Sequence, residues 1–205
     1  MATTFPTVAT GLHAHQGLLI SVMQQMRESS GTGIAVSLTS ANSGEGVTQS
    51  VVSLLETLQR DDTTRTLQVD ACTLRALAVE PADLLRLCVP THAAGVFVLD
   101  LKAAGGNRGD GMWDSSLQYR RECMEYLRGA FDYVLIDSPA LQSAGDALTL
   151  APVVDGTILV VEAEKTRKEQ ILHAEKSIAL AHGQLLGHIL NKRSYVVPDW
   201  VYRKL

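Results

Sequence analysis

Residues 40–50 have the types and spacing to bind phosphate. They read Ser40, Ala41, Asn42, Ser43, Gly44, Glu45, Gly46, Val47, Thr48, Gln49, Ser50. In the pattern G-x-x-x-x-G-K-[ST], backbone N–H groups cradle phosphates, the lysine reaches the β- and γ-phosphates and the hydroxyl holds Mg²⁺. Here Gly44, Glu45 and Gly46 supply the turn and Thr48 the hydroxyl, but Val47 stands at the lysine position and Ala41 at the first glycine. Further along, Asp70, Asp137 and Asn191 each close an apolar run. Two carboxylates beside a phosphate loop could hold Mg²⁺ directly or through water. Each feature also has a plainer reading: an aspartate there can be a turn or helix-cap residue, and two glycines an ordinary strand-to-helix turn.

The flanks of the loop supply the context it needs. Residues 33–39 form a short apolar, β-branched run, as a buried strand should. After the loop, Val47, Val51, Leu54, Leu55 and Leu58 recur at helical spacing. A helix N-terminus offers free N–H groups and a positive dipole end to an anion. Further strands are expected at 66–70, 95–101, 131–137, 156–162 and 185–191. Helices are expected near 47–60, 74–88, 114–129, 142–151 and 166–182. Such alternation predicts an α/β fold with a single doubly wound, mostly parallel sheet and helices on both faces. Ligands of such sheets bind beyond the carboxyl ends of the strands, where Asp70, Asp137 and Asn191 stand. The chain divides into an N-terminal helical segment (1–30), the α/β domain (31–193) and an aromatic, basic tail (194–205).

Composition bounds the alternatives. The 205 residues suit one α/β domain with its own core. A net charge of −4 gives no support to a nucleic-acid surface. Cys72, Cys88 and Cys123 form no C-x-x-C pair, which favours free thiols in a reducing compartment. No apolar stretch approaches the ~18 residues that span a bilayer, so a cytoplasmic protein is expected. The glycine-rich stretch 104–111 could be a lid or only a connection. The charged runs near 115–128 and 165–176 are expected to be solvated helix faces.

These motifs together resemble the bacterial tyrosine kinases of polysaccharide biosynthesis, within the P-loop ATPases that include the MinD and ParA proteins. Ser40 to Gly46 resembles the family's Walker A lead-in, Val69 to Arg75 its second acidic motif, and Phe131 to Pro139 its Walker B strand. Asp146-Ala147 and residues 151–156 match the segment that follows. Leu186 to Asn191 looks like the strand whose asparagine contacts adenine. The match spans roughly 33–193. The resemblance implies ATP or ADP bound around Gly44, Glu45, Gly46, Thr48, Arg75 and Asn191, with Mg²⁺ on Thr48, Asp70 and Asp137.

Departures from the family pattern fall on the chemistry. Val47 replaces the phosphate-neutralising lysine, and electrostatic stabilisation supplies most of phosphoryl-transfer catalysis. Cys72 replaces the second aspartate of the acidic motif, and Gln49 the second hydroxyl of the loop. Asp70 and Asp137 are then remnants of a catalytic set, and nucleotide and Mg²⁺ binding should be weak. The helix expected near 15–27 lacks the family's glutamate-and-arginine pattern that builds a ring of subunits. Its apolar face (Leu18, Leu19, Val22, Met23, Met26) is expected to pack on its own domain. Tyr195 and Tyr202 make a thin version of the family's phosphorylated C-terminal cluster.

Three functions follow, in order of preference. The first is a non-catalytic regulatory subunit of exopolysaccharide or capsule biosynthesis and export. It would dock on an inner-membrane polysaccharide co-polymerase or another export protein, reach the membrane only through that partner, and have self-association open to it. The second is a slow ATP-dependent protein-tyrosine kinase or ATPase that takes its missing cation from a partner. The third is a MinD-like positioning ATPase.

Overall fold

A buried first strand in the interior of a mostly parallel sheet places the glycine turn at the sheet's carboxyl edge. The computed structural model describes residues 12–60, 63–104, 113 and 116–192. Helix α1 (Leu12–Ser30) precedes β1 (Ile34–Ser40), α2 (Val47–Leu58), β2 (Thr66–Asp70) and the short α3 (Ala71–Arg75). A 3-10 segment (Pro81–Leu87) leads into β3 (Cys88–Pro90) and β4 (Val96–Leu99). Then follow α4 (Leu117–Ala130), β5 (Tyr133–Asp137), α5 (Asp146–Leu150), β6 (Gly156–Glu162), α6 (Lys168–Leu180) and β7 (Leu185–Asn191).

The seven strands lie in the order β3-β4-β2-β5-β1-β6-β7. Every pairing is parallel except β3 with β4. All seven residues of β1 are buried, as a strand covered on both faces requires. Ile34, Val36 and Leu38 face Val51, Leu54 and Leu55 of α2 and Met23 of α1. Ala35, Val134 and Ile136 pack on the opposite face with Cys123, Met124 and Leu127 of α4. Helices therefore cover both faces, and the doubly wound, mostly parallel sheet expected from the sequence is present.

Some expectations need correction. The helix expected over 74–88 is instead α3, a 3-10 segment and the edge strand β3. Asp70 starts a helix at once, because its carboxylate accepts from Cys72 N at 2.7 Å and Thr73 N at 3.3 Å. Pro81 then opens a separate 3-10 segment. Three residues ending in Pro90 are too short for a strand pattern, and proline is tolerated there because β3 is an edge. On α1 the buried positions are Leu19, Ile20 and Met23, whereas Leu18 is 71% exposed. The helix is rotated from the expected face so that it packs on β7 and β1. The tail from 194, with Tyr195 and Tyr202, and residues 105–111 of the glycine-rich stretch lie outside the described residues.

Candidate functional site

The loop between β1 and α2 owes its shape to two glycines and a buried carboxylate. Gly44 (φ 83°) and Gly46 (φ 93°) adopt left-handed backbone. At Gly46 a Cβ would also stand 2.0 Å from Asn191 Nδ2, so a side chain there would have to displace the Asn191 amide. Glu45 is 2% exposed. Its carboxylate accepts from Ala41 N (3.0 Å), Asn42 N (3.2 Å), Asn42 Nδ2 (2.8 Å) and the Thr166 hydroxyl. It ties the start of the loop to its middle and to the segment after β6.

A cavity of about 540 Å³ opens on this loop. Gly44, Gly46, Val47, Thr48 and Gln49 line it, with Asp70 and Cys72 at the end of β2 and Asp137 at the end of β5. Parallel pairing sets Asp70 directly beside Asp137, and Leu38 of β1 on Asp137's other side. The Asp137 carboxyl is raised above its ordinary value by burial, against a lowering hydrogen bond from the Thr48 hydroxyl, and is raised further by the charge of Asp70. The Cys72 thiol is raised by burial and by the charges of Asp70 and Asp146, which disfavours a thiolate. Ser43 and Ser143 hydroxyls meet at 2.6 Å, joining the loop to the segment after β5.

Charge is distributed unevenly. Among the described residues that line the cavity there are two aspartates and no lysine, arginine or histidine. Val47 is 9% exposed and packs in the core cluster that holds Met23, Val51 and Ile189. The position that the loop pattern gives to a phosphate-binding cation is thus part of the apolar core. The donors that could hold Mg²⁺ do come together: Thr48, Asp70 and Asp137 share one side of the cavity. They are the oxygen ligands such a hard cation takes, and the first-turn N–H groups of α2 carry no side-chain cap, as a phosphate site needs.

Three residues expected around the nucleotide do not line this cavity. Glu45 is the strut just described. Asn191 is buried and donates its amide to Glu45 O at 3.0 Å and Gly46 O at 3.5 Å. Arg75 pairs with Asp146 at 3.2 Å, beside the Cys72 thiol rather than in the cavity lining. Two residues escaped the sequence reading, Asp146 as a charge partner and Lys192 on the loop's outer side. Asp146 stood in a matched segment; Lys192 had only its place after Asn191 as a signal.

The fold is P-loop NTPase-like. No family model matches the chain. It is 36% identical over 76 residues to the tyrosine-protein kinase YwqD of Bacillus subtilis, covering 37% of this chain and 32% of that protein. To the succinoglycan biosynthesis transport protein ExoP of Rhizobium meliloti it is 41% identical over 69 residues, 34% of this chain and 9% of that protein. A longer match, 26% over 176 residues, joins it to the tyrosine-protein kinase CpsD of Streptococcus pneumoniae, with 77% and 75% of the two chains covered. The match to YwqD thus spans about a third of that protein's length. Among solved structures, the kinase domain of the Escherichia coli tyrosine kinase ETK superposes with TM-score 0.67 at 19% identity, over 92% of this chain and 79% of that one. The septum site-determining protein MinD of Pyrococcus horikoshii, complexed with Mg-ADP, gives 0.55 at 20%, over 83% and 76%. The chain is similar in sequence to bacterial tyrosine-protein kinases, and its fold is that of their kinase domains.

Proposed function

We propose that this chain is a regulatory, non-catalytic subunit of exopolysaccharide or capsule biosynthesis and export, derived from a tyrosine-kinase fold. It acts in the cytoplasm by docking on an inner-membrane polysaccharide co-polymerase or another export protein. The named relatives support the pathway. The observation that carries the loss of catalysis is Val47, held in the core at the lysine position, in a cavity without a lining cation among the described residues. A developing phosphoryl charge would find loop N–H groups and Mg²⁺ but no side-chain cation, in a reaction class that depends on such charges. Boundaries at 30 and 193, and nucleotide contacts at Gly44, Gly46 and Thr48, form part of this reading.

A second reading, a slow ATP-dependent tyrosine kinase or ATPase, is favoured by one observation: Thr48, Asp70 and Asp137 remain together where Mg²⁺ would sit. Calorimetry separates the two. Loss of a charge-assisted contact of ~2–3 kcal/mol weakens MgATP binding roughly 30- to 150-fold relative to a loop with its lysine. A low-micromolar dissociation constant for MgATP would overturn the first reading.

A further inference from the structure

The outer side of the loop holds an arrangement that nucleotide contacts alone leave unexplained. Two consecutive residues at the end of β7 take the carbonyls of three consecutive loop residues. Asn191 donates to Glu45 O and Gly46 O, and Lys192 Nζ donates to Gly44 O. The same ammonium bonds Glu162 Oε2 at 3.2 Å, and Lys165 Nζ holds that carboxylate at the same distance. Lys192 does this from left-handed backbone, φ 55°. An L side chain adopts that conformation at a cost, and it persists only where its surroundings hold it.

Peptide planarity gives these bonds their meaning. In a trans peptide the carbonyl and the following N–H point in opposite directions. The Gly44 and Glu45 carbonyls, drawn outward to β7, therefore turn the N–H groups that follow them, those of Glu45 and Gly46, toward the cavity that Gly44 and Gly46 line. Gly46 O also accepts from Ser50 N at 3.0 Å and belongs to the first turn of α2. Glu45 fixes the same loop from within through Ala41 and Asn42. Lys192 does not line the cavity, so it does not replace the missing lysine by contact.

We propose that Lys192 is a positioning residue for phosphate: with Asn191 it clamps the Gly44 and Glu45 carbonyls from outside, in the shape that presents the Glu45 and Gly46 N–H groups to an anion. The clamp lets a loop without its lysine still receive the pyrophosphate group of a nucleoside diphosphate. This rests on the nucleotide reading of the cavity. The Lys192 side chain is 43% exposed, so its replacement spares the core.

The test compares Lys192→Met with Lys192→Arg, using MgADP calorimetry, amide hydrogen exchange across residues 43–48 and the thermal midpoint. In the methionine variant MgADP binding weakens about tenfold or more and the loop amides exchange about tenfold faster, the size of one lost charge-assisted hydrogen bond. The midpoint stays within a degree or two, about 0.5 kcal/mol or less on this size of chain. Arginine restores both readouts. Unchanged loop exchange in the methionine variant overturns the proposal, as does an equal loss in both variants with a lowered midpoint. Wild-type protein that fails to bind MgADP would overturn the nucleotide reading instead, and the exchange rates would then decide on the clamp by themselves.

Discussion

Asp137 carries a stability cost whose sign can be worked out. Burial and the neighbouring Asp70 raise its carboxyl above the ordinary 3.8, against the Thr48 hydrogen bond, so the fold prefers it protonated. A carboxyl with a raised folded-state value costs nothing below its unfolded value and costs most once pH exceeds the folded one. Asp137→Asn should therefore raise the thermal midpoint at pH 7, by less than about 1 kcal/mol, with the gain shrinking as pH falls toward 4. A gain that is constant with pH would refute this. The proposed loss of catalysis makes a second prediction. Val47→Lys with Cys72→Asp should restore ATP hydrolysis more than either single change, because both groups act on one transition state. Since Val47 is core-packed, its lysine variant should lose ~1–3 kcal/mol in urea unfolding. If the folded double variant stays inert in a hydrolysis assay, the site has further lesions. At this scale the sequence was informative where a residue acts through its own position. Val47, Thr48, Asp70 and Asp137 all reach the cavity. Asn191 and Arg75 were harder, because their partners, the loop carbonyls and Asp146, are brought to them only by the fold.

Elements turn on how the chain leaves each strand. Gly44 and Gly46 share a left-handed backbone but differ in room: a Cβ at Gly44 would meet no atom within 4 Å, while one at Gly46 would meet Asn191 Nδ2 at 2.0 Å. Gly44→Ala should cost about 1 kcal/mol of strain, and Gly46→Ala at least about 1 kcal/mol more, because the Asn191 amide must also leave its place on the loop. Denaturant titration of the pair checks this; equal losses would mean that Asn191 yields freely. Apolar runs at β1, β5 and β6 were readable because burial on both faces leaves a continuous hydrophobic signature. The stretch 74–88 misled because helix-forming residues there are cut into short pieces by Pro81 and by pairing of Cys88–Pro90 with β4. The face of α1 was set by packing on β7, a contact no local period contains.

For the whole molecule, the docking proposal predicts that polymer secretion survives loss of the site and fails with loss of a partner surface. Asp137→Ala should leave secretion intact. Deletion of 195–205, which removes Tyr195, Trp200 and Tyr202, should abolish it in a folded, normally abundant protein, since aromatic residues most often anchor interfaces. Secretion lost on Asp137→Ala alone would favour the slow enzyme. No described helix is long and apolar enough to cross a membrane. One feature of the architecture reaches back to synthesis. Helix α1 lies on β7, and about 150 residues separate their nearest ends. At 5–20 residues per second, the first helix waits roughly 8–30 s for the strand it will cover. Throughout that interval Leu19, Ile20 and Met23 emerge from the ribosome without their final neighbour, so the newborn chain offers chaperones an apolar helix that the finished protein hides.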